Sequence, residues 1–155
     1  MQTILVGYDG TTSAEHALIR AGEFARAFDA KVVVVSVAPP RPLTDRGAFG
    51  LMPYYLQDDD ELRRVDETLL QQHRERVEAL FAGLDLPAEF VGIVGEPADA
   101  IVSAADEHDA DLIVVGTREP GFVERLLGGS VSQGVARLAH RDVLIVHPAD
   151  RASTE

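Results

Sequence analysis

Apolar residues fall along this chain in two rhythms. Five short runs are apolar at nearly every position: 3–8, 31–37 (KVVVVSV), 89–94, 112–115 and 143–146. Runs of that kind read as strands covered on both faces. Between them apolar residues recur every three or four positions, the spacing of a helix face. Ala14, Ala17, Leu18, Ala21, Ala25 and Phe28 define a first helix. Leu62, Val65, Leu69, Val77 and Leu80 line a long one over 58–82. Ala98, Ile101, Val102 and Ala105 follow Pro97, and Val131, Val135 and Leu138 mark a last helix over 130–139. Thr12 and Glu15 have the Thr-x-x-Glu spacing of a capping box, and Pro97 suits a first helical turn. Strands alternating with helices imply right-handed crossovers and a parallel sheet, an α/β fold. The pattern alone does not give the order of the strands.

Composition narrows this further. A chain of 155 residues fits one domain with one sizeable core, here over 1–148, with a disordered tail over 149–155. No apolar run approaches the roughly 20 residues of a membrane span. The opening MQTILVGYDG lacks a basic region and a long apolar core, so no signal peptide is expected and the cytoplasm is the default location. With no cysteine there is no disulfide framework and no thiolate chemistry. A net charge of −12 disfavours nucleic-acid backbones and anionic membranes as partners. The acidic run 58–61 sits where a helix dipole favours acids, and reads as a solvated helix start rather than a metal site. His16, His73, His108, His140 and His147 show no metal-ligand spacing, and His108 suits the end of the third helix. Residues 39–57, rich in Pro and Gly, form a long surface loop.

Two places could carry chemistry. Asp9-Gly10 follows the first strand, and an aspartate there either bonds its own turn or meets a ligand's hydroxyl or amine. The stretch DLIVVGTREPGFVERLLGGSVS joins a buried strand, a glycine turn at Gly116 and a helix start at Gly129-Ser130. Those are the parts of an anion site, built from free backbone N–H groups and a helix dipole. Enzyme motifs do not fit. Tyr8-Asp9-Gly10-Thr11 is similar to the Asp-x-Asp-Gly-Thr motif of haloacid-dehalogenase-like phosphatases, but the nucleophilic aspartate would fall at Gly7. There is no Gly-Lys-Ser/Thr phosphate loop, no Gly-x-Gly-x-x-Gly after the first strand and no Gly-x-Ser-x-Gly elbow.

Gly116, Gly129 and Ser130 stand at three of the four positions of the universal stress protein signature, and the chain resembles that family from ILVGYDG to DVLIVHP. The resemblance implies a single-domain, Rossmann-like three-layer sandwich with about four helices and strand order 3-2-1-4-5. It implies an adenine-nucleotide site in which Asp9 and Val37 hold base and ribose. Gly116, Thr117, Arg118, Gly129, Ser130 and Val131 would surround the phosphates. The ligand would be ATP, AMP or cyclic AMP, with Mg as a companion ion, or none if the site is degenerate. A homodimer through the edge strand 143–146 is implied too. The chain departs from the signature at its second glycine, where Glu119 and Pro120 stand. Glu119 brings negative charge to the phosphates, and Pro120 has no N–H to donate. The leading expectation is a non-enzymatic nucleotide-binding module in a stress response. The alternatives are a dimeric interaction protein that no longer binds ATP, and a slow ATPase or phosphorylated signalling form.

Overall fold

A computed structural model describes residues 1–38, 40, 59–117 and 131–147. Its elements run β1 (Thr3–Gly7), α1 (Thr12–Phe28), β2 (Lys31–Ala38), α2 (Asp59–Gly83), β3 (Ala88–Val94), α3 (Pro97–Glu107), β4 (Leu112–Gly116), α4 (Val131–Leu138) and β5 (Asp142–Val146). The five strands form one parallel sheet in the order β3-β2-β1-β4-β5. The order expected from the family resemblance is therefore the observed one.

Period-two alternation sends each strand's side chains to two helical layers. Ile4, Val6, Val32, Val34, Leu112 and Val114 pack under α1 and α2, with Ala17, Leu18, Val77 and Phe81. Leu5, Val33, Val35, Ile113 and Val115 pack under α3 and α4, with Ile101, Ala105 and Val135. Both faces of the central strands are covered, which is why their sequences are apolar without alternation.

Three local expectations change. The N-cap of α1 is Thr11, whose hydroxyl accepts from the Ala14 N–H; Thr12 is already helical. Glu15 therefore falls one position past the capping-box site, and it accepts from Arg76 Nε of α2 at 2.7 Å. Phe28 is half exposed, stacked on Phe24 at the end of α1 rather than buried with the rest of its stripe. Among the described residues of α2 the buried ones are Val77 and Phe81, whereas Val65 and Leu69 are exposed. The reason is the side of the helix that meets the sheet. Leu70 packs on Gly92 of β3, where an added Cβ would lie 3.1 Å from its Cδ1. Leu70, Val77 and Phe81 share that side of α2, and at 3.6 residues per turn Val65 and Leu69 point about 100–140° away from it.

Candidate functional site

β1 and β4 are neighbours in the middle of the sheet, and their connections leave to opposite faces. A crevice beyond the carboxyl ends of such a pair is where open α/β sheets take ligands. Asp9, Gly10, Gly116 and Thr117 all lie at that end.

Asp9 is exposed, and its Oδ1 accepts from both the Thr11 N–H at 3.0 Å and the Thr11 hydroxyl at 2.6 Å. It thus bonds its own turn, the more local of its two expected roles. Both bonds end on one oxygen. Among the described residues Oδ2 carries no hydrogen bond, and it stands as an acceptor at the rim. The turn also needs Gly10, whose φ of 81° lies in the region glycine enters without strain.

Val37 offers the complementary groups. In a parallel pair, successive residues direct their backbone N–H and C=O alternately to the two neighbouring strands. Lys31 N–H donates to Gln2 C=O, and Val35 C=O accepts from Tyr8 N–H, so odd-numbered residues of β2 face β1. Ala38 C=O accepts from Gly95 N–H, so even-numbered residues face β3. The last β1 residue in register is Gly7, opposite Val35. Val37 lies two residues further on, with its N–H and C=O directed at the space β1 has left.

On the other side of the crevice the glycine has a structural duty. A Cβ on Gly116 would lie 2.6 Å from the Ser13 carbonyl carbon and 2.9 Å from the Ala14 nitrogen. The first turn of α1 lies directly on the end of β4, so the demand for glycine is set by packing. Ser13, 2% exposed, donates its hydroxyl to the Thr117 carbonyl and lies 3.2 Å from the Thr11 hydroxyl. The Thr11 hydroxyl gives its proton to Asp9 and the Ser13 hydroxyl gives its own to Thr117, so it is the Ser13 bond that ties the start of α1 to the end of β4. The Thr117 N–H donates to Val146 C=O at 2.8 Å. It is spent on the sheet and is not free for a ligand.

Val131 opens α4, so its N–H is one of the four that the helix itself leaves unpaired. No acidic residue stands in the first turn to offset the positive end of that helix. Arg118, Gly129 and Ser130 lie outside the described residues, as do Glu119, Pro120, segment 41–58 and the tail from 148. Among the described residues no three acidic, histidine or cysteine side chains are gathered to hold a metal ion.

One cluster at this end was not anticipated. His73 of α2 reaches the carboxyl ends of β1 and β2, its Nδ1 2.6 Å from the Ser36 hydroxyl. Its ring meets Tyr8 edge-on at 5.1 Å. Its Nε2 lies 2.9 Å from where a Cβ on Gly10 would be. Burial pushes the imidazole below its usual pKa, with Asp9 opposing. Burial also raises Tyr8, helped by Glu15. Two signals in the sequence could have found the cluster. Ser36 is the one polar residue between valines in KVVVVSV, and His73 sits midway between Leu69 and Val77 on the apolar stripe of α2.

A doubly wound α/β protein with its switch point between β1 and β4 is the class these features define. Residues 1–147 match the model of the Universal stress protein family. A universal stress protein of Mycobacterium tuberculosis is 39% identical over 151 residues, spanning 94% of this chain and 96% of the relative. One of Thermus aquaticus is 36% identical over 146 residues, spanning 94% and 98%. A universal stress protein solved in complex with cAMP is 34% identical, with a TM-score of 0.64 over 96% of this chain and 98% of that one. One from Archaeoglobus fulgidus, in complex with dAMP, is 26% identical, with a TM-score of 0.65 over 94% and 98%. The chain belongs to the universal stress protein family.

Proposed function

We propose that this protein is a non-enzymatic module of a stress response that binds an adenine nucleotide carrying a single phosphate. The observation that carries the reading is the edge of Val37. An N–H beside a C=O matches the ring nitrogen and exocyclic amine of adenine, an acceptor beside a donor. Guanine presents the opposite order there. Asp9 Oδ2 is placed for a ribose hydroxyl, and the start of α4 for the phosphate. Three phosphates fit less well than one. At 4 Å and an effective dielectric near 20, two unit charges repel by about 4 kcal/mol, and Glu119 stands in the segment that would wrap the outer phosphates. The relatives solved with cAMP and dAMP each hold a single phosphate. The same reading places the protein in the cytoplasm.

Gentle purification, denaturation and mass spectrometry of the released small molecules test the proposal directly. Calorimetry with AMP, cAMP and ATP follows. AMP or cAMP should bind more tightly than ATP. Asp9→Ala should weaken AMP by about tenfold or more, the worth of one hydrogen bond to a charged group. No released nucleotide and no heat at millimolar ligand would leave the reading without support. The protein would then stand as an interaction module alone.

The module acts as a homodimer. β5 is an edge strand, half-buried along 143–146, and its even-numbered residues spend their backbone groups on β4. Val143 and Ile145 therefore turn theirs outward, and an apolar edge of that kind invites a second strand. Val143→Pro deletes an outward N–H without touching the β4 ladder. Light scattering should give a dimer for the parent chain and a monomer for the variant. A parent chain that is monomeric at micromolar concentration refutes the dimer.

A further inference from the structure

His73 stands outside every role assigned above, yet its placement is specific. Below it on α2, Val77 is 1% exposed and Phe81 is 2% exposed, so the helix is anchored in the core one and two turns away. Above that anchor two neighbours fix the ring, the Ser36 hydroxyl on Nδ1 and the Tyr8 ring at 74° to it, and its Nε2 stands 2.9 Å from where a Cβ on Gly10 would be. A histidine kept only to fill this volume would serve no better than leucine. Replacing a buried hydrogen-bonded pair such as Ser36 and His73 with apolar groups of similar shape is close to neutral for stability. What leucine could not supply is a flat polar edge resting on the turn that carries Asp9. Gly10 is doubly constrained there, by its positive φ and by the imidazole lying over it. His73 stands on the side of the turn where a Gly10 side chain would project.

We propose that His73 is a positioning residue of the ligand site: its ring, fixed by Ser36, buttresses the Asp9-Gly10 turn and sets where the Asp9 carboxylate meets the nucleotide. This rests on the nucleotide reading given above. His73 touches no ligand atom; it acts through Asp9. The charged groups near the cluster are Asp9, Glu15 of α1 and Arg76 of α2, with Arg76 bridging Glu15 and Tyr8. Helix α2 is thereby joined to the rim at two points.

The test is a double-mutant cycle on AMP affinity. His73→Leu should weaken AMP about tenfold in the parent chain, comparable to misplacing one charged hydrogen bond. In an Asp9→Ala background it should have no further effect, because residues acting as one unit are not additive. His73→Gln, which retains a polar tip, should recover part of the loss. The double variant Ser36→Ala/His73→Leu removes both polar partners and guards against an orphaned hydroxyl. It should melt within a few degrees of the parent and still bind weakly. The ligand-free Thr11 amide resonance, which reports the bond to Asp9, should move in His73→Leu. Parent affinity in His73→Leu, or additive losses with Asp9→Ala, would overturn the proposal. A parent chain that binds no AMP, cAMP or ATP would overturn the nucleotide reading and this inference with it. A shifted Thr11 resonance would then show that the buttress exists without a ligand to serve.

Discussion

Gly116→Val should lower the stability of the ligand-free protein by about 3 kcal/mol, the upper end of the ordinary cost of a core side chain too large for its space. The contact is with main chain. The added Cβ would lie 2.6 Å from the Ser13 carbonyl carbon and 2.7 Å from its oxygen, and neither can turn aside as a side-chain tip can. Nor can α1 lift as a body, since Ala14, Ala17, Leu18, Ala21 and Ala25 all lie buried along it. Small residues in that row let the helix sit close to the sheet, and Gly116 completes the row from the β4 side. For a domain of this size the melting temperature should fall by about 6–12 °C. Gly116→Ala should follow in the same direction with a smaller loss. Nucleotide affinity should fall as well, because the Ser13 bond to Thr117 ties the start of α1 to the end of β4 at the crevice. A ligand-free melting temperature within a degree or two of the parent would refute the packing account. The glycine would then have to be explained by the ligand.

The elements were legible because burial on both faces leaves mostly Val, Ile and Leu in β1, β2 and β4. Helical spacing is equally hard to disguise in α1 and α3. The end of β4 was legible as a glycine turn, yet the reason for its glycine was not. A close approach of two main chains leaves the same letter in the sequence as a phosphate cradle. Two adjacent threonines hid the N-cap, since Thr11 and Thr12 both can cap and only Thr12 has a glutamate at the right distance. Helix α2 carries apolar residues on more than one side, and spacing alone does not say which side meets the sheet, so Val65 and Leu69 looked like core. The order of the strands came from the family resemblance and not from periodicity. His73 was hidden by its company. An imidazole within an apolar stripe carries no metal spacing and no motif, and its meaning depends on Ser36, 37 residues away in sequence.

Phe81→Ala should be the more destabilising change, and it should separate the scaffold from the site. The ring is 2% exposed in the layer under α1 and α2, and emptying such a position costs about 3–5 kcal/mol. The melting temperature should fall by about 6–20 °C. Phe81 also shapes the end of its helix, since its carbonyl accepts from the N–H groups of Leu84 and Leu86. Those bonds involve backbone and survive the substitution, so the loss is one of volume and not of path. At a temperature where the variant remains folded, AMP affinity should stay within about twofold of the parent, because Val77 still seats α2 beneath His73. Gly116→Val, by contrast, should lose stability and affinity together. A tenfold loss of affinity in folded Phe81→Ala would mean that the rim depends on the whole length of α2. The anchor for Asp9 would then lie deeper in the core than one turn below His73.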